Sequence, residues 1–203
     1  MNDLIKAAQR ELRVWPDGEW GPQTHQAFLT RIFPLPNFAA TADLPWVREL
    51  KAVYGWHEVR DNEKLKAWLK SDNKTLGNPG VLPWCGDAVE TAIRLALPDE
   101  PLVGALGANP YWARNWVGFG KAAQGYGSIG VFERGPTSGH VGFLVGEDAT
   151  CFHVLGGNQG DTVSVTRIEK GRLLAARWPL TYGADPKPLP KKAATLPVSI
   201  NEV

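Results

Sequence analysis

The chain has 203 residues, 43% of them hydrophobic and 21% charged, with a formal net charge of +1. That describes a soluble globular protein with room for one well-buried domain and a small appendage. No apolar run approaches the ~20 residues of a membrane span. The balanced charge, without a basic stripe, gives no electrostatic case for nucleic acid. Two cysteines and four scattered histidines supply neither a disulfide framework nor a zinc spacing; Cys151 and His153 sit two apart, a spacing expected of strand core rather than of a metal site.

Taken in chain order, residues 1–33 form a self-contained pattern. Leu4, Ile5, Ala8 and Leu12 fall on one helical face. A turn-rich run, Trp15-Pro16-Asp17-Gly18-Glu19-Trp20-Gly21-Pro22, follows. Thr24, Ala27, Phe28 and Ile32 then continue as a second short helix. The first residues carry charges where a secretion signal needs an apolar core, so no signal peptide is expected and any action outside the cytoplasm requires a separate release route. Residues 34–45, with Pro34, Pro36 and Pro45, read as a linker.

The main domain is expected over residues 46–180. Helices are predicted from Trp46 (Val47, Leu50, Val53) and from Lys64 to Leu69, with a polar loop from Asp72 to Leu82. Pro83 then bars helix on its N-terminal side, while Ala88, Val89, Ala92, Ile93 and Ala96 recur at steps of three and four. A helix therefore starts near Cys85. A thiol there meets the positive end of the helix dipole and unpaired N–H groups, which favour thiolate. Asp87 and Glu90, in the first turns, suit the dipole but oppose a nearby thiolate.

A short helix is expected around Trp112, Trp116 and Phe119, after which the chain turns to strand. Residues 129–134, 140–145, 151–155, 162–166 and 173–178 are short, β-branched or aromatic, and separated by turn residues. They predict a small antiparallel sheet and an α+β fold. Residues 181–203 hold four prolines and few large apolar side chains, and an extended or frayed tail is expected.

Two resemblances attach to these motifs. Ala8-Gln9-x-x-Leu12, Asp17-Gly18-x-Trp20-Gly21-Pro22-x-Thr24 and Ala27-Phe28 resemble the small helical peptidoglycan-binding module, which implies wall contacts through Asp17, Gly18 and Trp20. Pro83-Trp84-Cys85, the run Gly-Ser-Ile-Gly-Val-Phe at 127–132, Gly139-His140-Val141-Gly142-Phe143 and Val154-Leu155-Gly156-Gly157-Asn158-Gln159 resemble, in that order, the papain-like NlpC and CHAP cysteine peptidases. That resemblance implies a papain-like domain that cleaves amide bonds in peptidoglycan, as endopeptidase or N-acetylmuramoyl-L-alanine amidase. It also implies a phage endolysin released by a holin-like system, acting as a monomer without cofactor or metal. The alternatives are an exported effector with the same wall chemistry, another papain-like amidase or acyltransferase, and a non-catalytic wall-binding protein.

The chemistry follows from residue types. An amide is a poor electrophile, so the thiol must lose its proton and the departing amine must gain one. His140 suits both transfers to and from Cys85. The Cys85 N–H at the helix start suits the oxyanion. A third group must orient the imidazole. If residues 147–150 form the turn, Gly146 faces Cys151, His140 faces Gly157 beside Asn158, and His153 faces Leu144, about 13 Å from His140 at strand rise. Asn158 is then the preferred third residue. A tighter turn would bring His153 to His140 instead, which makes His153 the alternative. Trp84 and Gln159 are expected to line the substrate groove, an indole face being a good platform for sugar rings.

Overall fold

The computed structural model describes residues 2–12, 43–200 and 202. It divides into two units, residues 1–42 and 43–203. In the first, the helix expected from the Leu4/Ile5/Ala8 stripe forms as α1 (Asn2–Glu11). The second short helix and the loop bearing Asp17, Gly18 and Trp20 lie outside the described residues.

The second unit is α+β. Its helices are α2 (Pro45–Ala52), α3 (Asn62–Leu69), α4 (Cys85–Ala96) and the short α5 (Gly104–Ala108), followed by a 3-10 turn over Ala113–Gly118. Pro45 fixes the first turn of α2, where its missing N–H costs nothing. Every residue of α4 from Cys85 to Ile93 is buried. Such all-round burial marks a central helix rather than a surface one. It packs against α2 on one side and the sheet on another.

The sheet has six strands in the order β1-β6-β2-β3-β4-β5. They are β1 (Lys121–Ala122), β2 (Ile129–Glu133), β3 (Gly139–Glu147), β4 (Cys151–Gly156), β5 (Ser164–Glu169) and β6 (Leu173–Trp178), all pairing antiparallel. Two departures from the sequence reading matter. A bulge between Leu144 and Gly146 shifts the β3–β4 register, so Gly146 faces His153 rather than Cys151. β5 begins later than expected because Val163 exchanges backbone hydrogen bonds with the Gly55–Trp56 segment (2.8 and 3.0 Å) instead of with a strand.

The tail is not frayed. The Lys187 carbonyl accepts from Tyr126 N–H (2.8 Å), Pro190 O accepts from Glu147 N–H (3.0 Å), and Lys192 N–H returns to Glu147 O (2.8 Å). Further on, Ser199 N–H bonds Arg167 O (2.8 Å). Between these clasps Leu189 plugs a cluster of Phe132, Leu144, Phe152, Val154 and Ile168. The prolines sit in a segment whose backbone pairs only at intervals, so their missing donors leave nothing unsatisfied. Among the described residues no helix is long and apolar enough to cross a membrane.

Candidate active site

Cys85 is the first residue of α4, with Trp84 at the cap; the Trp84 carbonyl accepts from Ala88 N–H (2.9 Å). Two close approaches fix this helix end. A Cβ on Gly86 would stand 2.3 Å from the Tyr111 carbonyl oxygen, so only glycine lets α4 lie against the Tyr111 backbone. A Cβ on Gly157 would stand 2.4 Å from the Trp84 ring and 2.8 Å from the Ala88 Cβ, so the chain leaving β4 can pass only without a side chain. Trp84 is 1% exposed and donates its indole N–H to Glu58 (2.8 Å). It packs beneath the helix start and is not among the residues that wall the cleft beside Cys85.

The sulfur opens on a small cleft walled by Tyr111, Trp112, Arg134, Ser138 and Gly139. The N–H groups of Val141, Gly86 and Cys85 itself point at it, and the Arg134 charge favours its ionisation. Burial outweighs all four and pushes the thiol pKa up. The helix start therefore does not deliver a resting thiolate. Desolvation, which is invisible in local sequence, is the larger effect.

His140 is fully buried at the start of β3. Its neighbour Val141 supplies the N–H aimed at the sulfur, so imidazole and thiol flank one peptide unit. No hydrogen bond joins them: Nδ1 of His140 is buried without a partner. Nε2 lies 3.0 Å from Gln159 Oε1. Gln159 Nε2 donates to the carbonyls of Val154 (3.2 Å) and Ser164 (2.6 Å), so Oε1 is the atom turned to the ring and must accept. The proton therefore sits on Nε2, and Nδ1 presents a bare lone pair. Burial drives the His140 pKa down to about 4, assisted by the charges of Arg134 and Arg172 and opposed by Glu202 and the Gln159 bond. At neutral pH the pair is an uncharged thiol beside an uncharged imidazole with its basic nitrogen free.

The side chain that meets the His140 ring is thus Gln159, one of the two residues expected to line the groove, rather than its neighbour Asn158. Asn158 adopts a left-handed conformation (φ 56°) that rotates the following residue toward the imidazole, and it makes no hydrogen bond to His140. His153 is placed elsewhere. It faces Gly146, six positions along β3 from His140, and its Nε2 lies 3.0 Å from Asp148 Oδ2. The same carboxylate oxygen accepts from Arg167 Nε (2.7 Å), and Oδ1 accepts from the N–H groups of Thr150 and Cys151 (both 3.0 Å). Arg167 above all holds the Asp148 carboxyl far below the usual carboxylate range.

Asp87 and Glu90 have partners beyond the helix dipole. Asp87 Oδ2 accepts from Thr75 Oγ1 (3.0 Å) and Leu76 N–H (2.9 Å), tying the loop that leads to Cys85 onto α4. Glu90, also buried, meets Arg94 at 3.4 Å and stands against the Asp72 carboxyl. Burial pushes Asp87 up to about 6, and burial with the Asp72 contact pushes Glu90 up to about 8. Among the described residues no group of three or more His, Cys, Asp or Glu is placed to hold a metal ion.

Sequence reasoning named Gln159 for the groove without its contact to His140, and missed Arg134. Gln159 carries a readable signal, a neutral amide directly after the Gly-Gly-Asn turn. Arg134, at the end of the first hairpin strand, carries none. Comparison with family models, with curated proteins and with solved structures gives no match, so what the site can do rests on its own geometry.

Proposed function

We propose that this chain is a papain-like cysteine amidase that hydrolyses an amide bond of bacterial peptidoglycan, with Cys85 as nucleophile, His140 as base and acid, and Gln159 as orienting residue. The observation that carries the reading is the tautomer: Gln159 pins the proton on Nε2 and leaves the buried Nδ1 lone pair without a partner, in the residue next to the Val141 N–H that meets the Cys85 sulfur. The choice of peptidoglycan rests on the motif resemblance and on the wall-module pattern in residues 1–33.

In this reading, an amide carbonyl enters the cleft and displaces water. His140 Nδ1 takes the Cys85 proton as the sulfur attacks the carbonyl carbon, forming the C–S bond and a tetrahedral oxyanion within reach of the Cys85 N–H. The imidazolium, stabilised through Gln159, gives its proton to the amine nitrogen as the C–N bond breaks. Water then adds to the thioester, losing a proton to Nδ1, and the thiol is restored on collapse. Because both groups rest uncharged, proton transfer is coupled to attack rather than completed before it.

The test is mass spectrometry of fragments released from purified peptidoglycan by wild type and by Cys85→Ala. New termini with wild type alone support the assignment and name the bond. No release from several wall chemotypes by folded protein overturns it.

A further inference from the structure

Among the described residues Arg134 is the one charged side chain lining the cleft, and the hydrolytic scheme leaves it unused. Other arginines of the unit are committed. Arg114 donates to the carbonyls of Ser138 (2.8 Å) and Gly135, Arg167 to Asp148, Arg172 to both oxygens of Glu202 (2.8 Å each), and Arg177 to the carbonyls of Phe119 and Gly120. Arg134 is half-buried and lines the cleft beside Cys85. Among the described residues its guanidinium has no side-chain hydrogen bond or ion pair. Two acids nearby in sequence or space are already engaged: Glu133 with Arg114 at 3.6 Å and Glu202 with Arg172.

A half-buried guanidinium stays charged at any working pH, and leaving it without an anion forfeits the bidentate pairing for which the group is built. The backbone that bears it is held in place: Arg134 N–H bonds Ser138 O (3.3 Å), and Arg114 grips the same hairpin loop through two carbonyls. Tyr111 and the half-exposed Trp112 line the same small cleft. An unpaired cation on a held loop, sharing a small cleft with a cysteine and two aromatic side chains, is the layout of a carboxylate subsite.

We propose that Arg134 is the specificity-determining residue of the cleft, binding a free carboxylate that the substrate carries next to the scissile amide. The proposal deepens the amidase reading and rests on it for the word substrate. Within an ordinary peptide the backbone carboxyls are consumed in amide bonds. The carboxylate must therefore come from a chain end, an acidic side chain, or a linkage that leaves one carboxyl free. Neutral peptides and fully amidated walls are poor substrates.

Two measurements test this, and they fail independently. The first compares cleavage of purified peptidoglycan with the same material after carbodiimide amidation of its carboxylates, for wild type, Arg134→Gln and Arg134→Lys. Wild type loses about 30- to 100-fold on amidation. Arg134→Gln loses a similar factor on native wall and is indifferent to amidation, and Arg134→Lys recovers only part of the loss. An Arg134→Gln variant as sensitive to amidation as wild type overturns the proposal. The second needs no turnover: alkylation of Cys85 by iodoacetate against iodoacetamide, a charged and a neutral probe of the same shape, read by mass at that residue. The iodoacetate-to-iodoacetamide rate ratio falls about tenfold in Arg134→Gln. An unchanged ratio overturns the carboxylate subsite. A falling ratio in a protein that releases nothing from any wall keeps the subsite and sinks the peptidoglycan reading alone.

Discussion

The β3–β4 hairpin carries a histidine toward each of its ends, one beside Cys151 of β4 and one near Cys85 at the start of α4, and the two pairs could hardly be treated more differently. At the turn, Cys151 and His153 are locked by Asp148, which spends both carboxylate oxygens on Arg167, His153 and two backbone N–H groups. At the open end, His140 has one neutral partner, Gln159, and a buried nitrogen with none, while Cys85 faces a cleft. The His153 imidazole is tied through Nε2 to a carboxylate that Arg167 and two backbone N–H groups also hold. An orphaned one costs stability, and such a cost persists only where the arrangement is useful.

The comparison breaks most visibly at the sulfurs. Cys85→Ser removes turnover by at least about a thousandfold with the fold intact, while Cys151→Ser leaves turnover within a factor of about two. Equal losses, measured on peptidoglycan with circular dichroism as the folding control, would mean that the open end is not special. Next in size is the imidazole's support. Gln159→Ala lowers kcat by about a hundredfold, because Nε2 loses its acceptor and the tautomer is no longer held, whereas Asn158→Ala and His153→Ala each cost less than about tenfold. Asp148→Asn gives the mirror result, a lower Tm with kcat nearly unchanged, since it strands Arg167 without its counter-charge.

The smallest effect sharpens the contrast in pH. Glu90 is raised on folding from 4.5 to about 8, so the folded state holds a proton that the unfolded chain has lost. Its contribution is complete below pH 4.5 and drains away as pH climbs through 8. His140 has the opposite sense. Its pKa falls on folding from 6.5 to about 4, so the stability that goes with its neutral form is lost as pH drops through that window. Urea unfolding at pH 5, 7 and 9 should show Glu90→Gln flattening the alkaline decline only. A variant that declines as wild type does would remove Glu90 as its source.

Much of this was legible in the residues. Short β-branched and aromatic runs located four strands to within a residue or two, and Pro83 with the Ala88/Val89/Ala92 stripe located the start of α4. The side chain that meets the His140 ring escaped because its placement depends on two backbone irregularities. Val145 reads as one more apolar strand residue, yet it sits in a bulge that shifts every partner beyond it. Asn158 reads as a side chain with a role, yet its left-handed backbone passes that role to Gln159. The raised thiol escaped for another reason: helix-end electrostatics can be read locally, but burial belongs to the whole fold. The tail escaped because a single Leu189 and a few backbone bonds leave little pattern in composition.

That tail sets an order of events during synthesis. Glu147 and Lys191, which pair in the finished structure, are 44 residues apart. The strands carrying Phe132, Leu144, Phe152, Val154 and Ile168 thus emerge from the ribosome well before Leu189 arrives to cover them. Until then that face of the sheet is open and adhesive, and the contacts that close it wait for a segment 44 residues beyond the end of β3. The nascent chain is most exposed to aggregation in this interval, and the sheet that carries His140 is not covered before the last segment is free to fold back.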